Sequence, residues 1–222
     1  MLARQTMAIA GKDLTIEIRG RYAVGAVLPF AATLLIAFGL SLGPGRTLLQ
    51  TTAPGLLWLA VLFASVLAFR QSYQSEGEDG ALEGLLLAPI DKAAVFLGKA
   101  AAVTVELLAL ELAVVLMVAG LFGLSLGSDP LVLAGAFVLG TIGLAAVGSL
   151  FGVLSESPRA REAVFPLLVL PLATPILVAG VRATALATSG RGGAGSWLGL
   201  LLAFDAAFLA AGTLVFAHLL ED

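Results

Sequence analysis

Residues 76–99 read EGEDGALEGLLLAPIDKAAVFLGK, the one sizeable acidic stretch of the chain, set between two long apolar runs. Asp79 is placed to cap a helix, and Glu83 falls in its first turn, where the helix dipole favours a carboxylate. Leu82, Leu85 and Leu86 sit at i, i+3 and i+4 and form one apolar stripe, while Glu78, Glu83, Gly80 and Gly84 face elsewhere. Pro89 ends the pattern, so a short amphipathic helix is predicted over 79–88. A simple polar connector has no use for Leu85, Leu86 and Leu87 in succession. A leucine-faced helix outside a bilayer fits a groove on a protein.

Outward from this stretch the chain is too apolar for a soluble domain. Of 222 residues, 59% are hydrophobic and 12% charged, whereas soluble domains carry about a quarter charged residues. The expectation is an all-α membrane protein, one transmembrane domain over 1–222, with spans at 22–42, 53–69, 93–123, 131–154, 164–186 and 197–220. The first of these, 22–42, is long enough to cross about 30 Å of hydrocarbon at a rise of about 1.5 Å per residue. Before them, 7–21 reads as an amphipathic helix lying in the interface, with Met7, Leu14 and Ile18 on one stripe and Lys12, Asp13, Glu17 and Arg19 off it.

Local punctuation supports these limits. Gly43, Pro44 and Gly45 make a turn, Pro54 suits the first position of the second span, Trp58 suits its interfacial end, and Arg70 closes it. Asp129 and Pro130 read as cap and first residue of the fourth span, whose glycines, Gly148 and Gly152 among them, suit a closely packed buried helix. Pro166, Pro171 and Pro175 predict a kinked or broken fifth span. With both termini cytoplasmic, the basic residues fall mostly inside, leaving Arg46, Arg182 and Arg191 outside. The acidic helix is then cytoplasmic.

Several functions are excluded. The chain has no cysteine, hence no disulfide or thiolate metal site, and its net charge of −3 gives no reason to expect nucleic-acid binding. No G-x-x-x-x-G-K-[ST] loop occurs; Gly11-Lys12 and Gly98-Lys99 lack both the upstream glycine and the following hydroxyl. No catalytic triad, H-E-x-x-H or paired catalytic carboxylates occur, so an enzyme is not expected. Three acids fall inside spans, Glu106, Glu111 and Asp205, where each costs about 2.5 to 3.5 kcal/mol and must face protein or water. They line a polar pathway, or they are held by hydrogen bonds to neighbouring helices. His218, the one histidine, reads first as a polar anchor and only second as a haem ligand.

Glu78-Asp79-Gly80-Ala81-Leu82-Glu83, the leucine run, Pro89 and Lys99 resemble the segment between the second and third spans of ABC-2-type permeases, and most closely the haem exporter B (CcmB) family. Ala53-Pro54-Gly55-Leu56-Leu57-Trp58 and Leu170-Pro171-Leu172-Ala173-Thr174-Pro175 agree with that narrower family, in the same order and over nearly the whole chain. Where some members carry a histidine this chain has Val103, and Glu106 and Glu111 depart from the family pattern, so no shared ligand site follows in that span. The resemblance implies an inner-membrane permease subunit of cytochrome c maturation, working with the ATPase subunit CcmA beside CcmC, CcmD and the haem chaperone CcmE. It implies haem as a transported or relayed substrate, with no tightly bound cofactor and no metal. It also implies a homodimer or one copy per ATPase dimer, and a coupling role for Glu78, Asp79, Gly80, Leu82, Glu83, Leu85, Leu86 and Pro89. A non-transporting assembly scaffold, or a permease for another lipid or drug, stays open as an alternative.

Overall fold

The computed structural model describes the backbone of residues 1–20, 23–78, 90–124, 126, 129–153 and 158–218, and side chains within 1–18, 25–69, 90–124, 126, 129–151 and 168–217. Its helices are α1 (Leu2–Gly20), a π-helical turn (Ala23–Val27) running into α2 (Leu28–Leu42), α3 (Arg46–Glu78), α4 (Lys92–Phe122), α5 (Pro130–Val153), α6 (Pro158–Ser189) and α7 (Gly195–His218). There are no strands among the described residues. Six helical segments, from Gly25–Leu42 to Gly195–Ala217, are long and apolar enough to cross a membrane. This is a multi-pass, all-α membrane protein.

The helix ends follow local chemistry. The Asp91 carboxylate accepts from the Ala93 N–H at 2.9 Å and caps α4, and Asp129 Oδ1 accepts from Val132 N–H at 3.2 Å with Pro130 opening α5. Gly43 (φ 73°) and Gly123 (φ 66°) take left-handed conformations at the ends of α2 and α4, where a side chain would be strained.

Several limits differ from those the sequence suggests. α1 starts at Leu2, a full turn before residue 7. α3 starts at Arg46, so Pro54 lies inside it and not at its first position, and the helix passes Arg70 to end at Glu78. Pro54 removes one N–H, while the hydroxyls of Thr51 and Thr52 bond back to carbonyls of the same helix. α6 runs unbroken through Pro166, Pro171 and Pro175. Tertiary packing on α5 and α7 keeps such a helix continuous despite its missing donors.

α4 is the hub, touching α1, α2, α3, α5 and α7, while α5 packs on α3, α4, α6 and α7. The large core is filled from α3 by Leu57, Trp58 and Phe69 and from α4 by Leu107 and Phe122. A second cluster, Ile9, Phe96, Leu150 and Phe216, ties α1 to the start of α4 and the far ends of α5 and α7.

Candidate functional site

Glycines on α5 and α6 set how closely α3 approaches. Trp58 is fully buried, and a methyl on Gly140 of α5 or Gly180 of α6 would fall within its indole. Its Nε1–H donates to Thr184 Oγ1 at 3.0 Å, satisfying the one polar atom of the ring. Trp58 is therefore a central wedge and not an interfacial anchor. The composition of an apolar helix does not distinguish the two; only the two facing glycines do. Phe69 fills the space above Gly148, and Phe96 that above Gly212. Aromatic seating explains Gly148 without any G-x-x-x-G contact.

The N-terminal helix docks by a polar stripe. Thr6, Ile9, Asp13 and Glu17, spaced 3, 4 and 4 apart, share one face of α1. Ile9 enters a notch at Gly98 of α4, where a Cβ would meet it at 2.8 Å and Thr6 O at 3.0 Å. Lys99, 3% exposed, reaches Asp13 at 3.8 Å, and Lys12 pairs with the same carboxylate at 2.8 Å. Met7 and Ile18 stay exposed on the opposite side, an apolar face left for lipid. Lys99 is thus a buried partner of α1. The 3-4-4 spacing was the sequence signal for it.

The three intramembrane acids do not converge. Glu106 faces α1, where the Glu17 carboxylate is close enough for their charges to interact. Glu111, 2% exposed, accepts a hydrogen bond from Thr141 Oγ1 of α5 at 2.8 Å through Oε2. Asp205 of α7, 3% exposed, packs on the other flank of α5: a Cβ at Gly143 would meet its Oδ1 at 2.7 Å and Ile176 at 3.0 Å. Thr141 and Gly143 are two residues apart, about 200° around and about 3 Å along the axis. Glu111 and Asp205 hence lie at one level with α5 between them, and Asp205 has no hydrogen-bond partner for either oxygen among the described residues.

Glu78 is the last residue of α3, and its side chain lies outside the described residues. Asp79, Gly80, Leu82, Glu83, Leu85, Leu86 and Pro89 lie outside them too, as does the His218 side chain. No group of His, Asp and Glu able to hold a metal occurs among the described residues.

Residues 4–222 match the family described as CcmB protein. The heme exporter protein B of Pseudomonas aeruginosa is 35% identical over 182 residues, 79% of each chain. That of Rhodobacter capsulatus is 32% identical over 183 residues, 79% of this chain and 80% of its own. That of Paracoccus denitrificans is 30% identical over 193 residues, 85% of this chain and 84% of its own. With a match running from residue 4 to the last residue, across every apolar helix and the acidic stretch between α3 and α4, the chain belongs to the CcmB family.

Proposed function

We propose that this protein is the permease subunit of an ABC-2-type transporter complex that exports haem, or releases a haem-loaded chaperone, during c-type cytochrome biogenesis. The observation that carries this reading is the family match over 4–222, with relatives named heme exporter protein B at 30 to 35% identity over about four-fifths of the chain. The chain has no phosphate-binding loop, so nucleotide hydrolysis falls to a separate subunit, CcmA, with CcmC, CcmD and CcmE as further partners. Two permease copies, or one, serve each ATPase dimer.

In this reading 79–88 is a cytoplasmic coupling helix whose Leu82, Leu85 and Leu86 enter the ATPase groove, with Glu78, Asp79, Gly80, Glu83 and Pro89 setting its ends. The protein lies in the inner membrane with both termini cytoplasmic, supported by the distribution of Lys and Arg. Glu106, Glu111 and Asp205 serve as polar points along the helices.

The deciding experiment is co-purification of the membrane complex, with cytochrome c maturation measured beside a hydrolysis-dead ATPase. Loss of covalently haem-bound cytochromes supports the reading. Intact maturation without hydrolysis makes the chain an assembly scaffold.

A further inference from the structure

At the end of the bundle opposite α1, the start of α3 and the end of α6 diverge to leave a cleft of about 350 Å³. Gln50, Thr51 and Pro54 line one side, Ala185 and Thr188 the other, and Arg191 closes the rim from the loop after α6. Pro54 and Trp58 are one turn apart on α3, as are Thr188 and Thr184 on α6. The fully buried Trp58–Thr184 hydrogen bond thus lies one turn deeper in the bundle than these lining residues.

Its chemistry is one-sided. Among the described residues, no carboxylate lines the cleft and no ion pair engages Arg191 or Arg46. Arg46 stands beside the rim, its Nε 3.9 Å from where a Cβ on Gly123 would sit, next to the Gln50 amide that donates to Gly123 O at 3.0 Å. A cationic mouth on a chain of net charge −3 is a local reversal of sign. Beneath it, Pro54, Leu124 and Ala185 are apolar. The volume sits at the low end of the roughly 300–1,000 Å³ typical of small-ligand sites, enough for a headgroup or one edge of a larger ring.

We propose that this cleft receives a carboxylate- or phosphate-bearing amphiphile, with the Arg191 guanidinium taking the anionic group and the Pro54 and Ala185 walls the adjoining carbons. A planar guanidinium holds either anion through paired N–H bonds. Two sources offer this chemistry, an anionic lipid headgroup and the propionates of haem. The haem source alone rests on the export reading above; the lipid source stands without it.

The test uses the full chain purified with its membrane partners. Retained phosphatidylglycerol and phosphatidylcholine are counted by native mass spectrometry, and ferric haem is titrated by absorbance, for wild type, Arg191→Gln, Arg46→Gln and Arg182→Gln. The expected result is preferential retention of phosphatidylglycerol or uptake of haem, weakened roughly tenfold or more by Arg191→Gln, less by Arg46→Gln, and unchanged by Arg182→Gln. Haem displacing the phosphatidylglycerol assigns the haem source; retention indifferent to haem assigns the lipid. Equal retention of phosphatidylcholine with no haem uptake overturns the proposal, as does an Arg191→Gln protein that binds like wild type. Equal weakening by Arg182→Gln also overturns it, because surface charge alone then accounts for binding.

Discussion

The indole N–H of Trp58 on α3 donates to the hydroxyl of Thr184 on α6 at 3.0 Å, with both residues wholly shielded from solvent. One bond thereby pins two spans that are 126 residues apart. Thr184→Val should lower stability by about 1–3 kcal/mol, because the buried indole N–H loses its acceptor. Adding Trp58→Phe to that variant should cost less than the sum of the two single changes, since no orphaned donor is left. Thermal unfolding in detergent micelles checks both, and strict additivity would contradict the pairing.

Glycine seats should tolerate no methyl. Gly140→Ala and Gly148→Ala place a Cβ inside the rings of Trp58 and Phe69, and should destabilise by about 1–3 kcal/mol or more through overpacking. Gly199→Ala meets nothing within 4 Å and should be neutral or stabilising by up to about 1 kcal/mol. Folded yield by size-exclusion chromatography separates the two groups; equal yields would remove the wedge.

The α1 seam should loosen from either side. Gly98→Leu drives a side chain into Ile9, and Asp13→Ala deprives the buried Lys99 of a carboxylate at 3.8 Å. The second change should cost about 1–3 kcal/mol, below the range for a fully enclosed pair because Asp13 retains 12% side-chain exposure. Hydrogen exchange across residues 2–18 should rise in both variants while that of α6 stays unchanged. Unchanged protection in α1 would show that lipid alone holds it.

Among the described residues, Glu111 accepts from one donor. Thr141→Val removes the 2.8 Å hydrogen bond to its Oε2, with a cost of about 1–3 kcal/mol. Thr141→Ser should restore most of it. A serine variant that unfolds as early as the valine one, although it keeps the hydroxyl, would show that the hydrogen bond does not set the loss.

The coupling reading is open to direct labelling, because the chain has no cysteine and Glu83→Cys would supply the one thiol. An impermeant maleimide should reach it only from the cytoplasmic side. Leu85→Asp with Leu86→Asp should abolish maturation-coupled ATP hydrolysis while leaving the protein in the membrane. Labelling from the opposite side would end the proposal.

Asp129 and Pro130 opening α5, and the Gly-Pro-Gly turn after α2, could be read directly from residue order, because caps and turns are made by neighbours in sequence. The same local rules misplaced a helix start at Pro54, which lies inside α3, and α6 runs unbroken through Pro171, both helices continuing past a missing donor with the support of their neighbours. Trp58 was misplaced for the same reason: an aromatic near a span end suits an interface until facing glycines draw it inward. The acids were visible as residues, yet their separation by α5 was not, since it depends on which face each helix turns to the next.

By itself, the amino-acid sequence determined that this chain is helical, membrane-embedded and without its own nucleotide-binding loop, for these follow from composition, run length and short motifs. Only the tertiary structure decided that Lys99 of α4 pairs with Asp13 of α1, that Trp58 closes the centre of the bundle, and that Glu111 and Asp205 stand on opposite flanks of one helix. The physical reason is that apolar helices look alike along the chain. What tells their faces apart is the fit of each side chain against a partner many residues away.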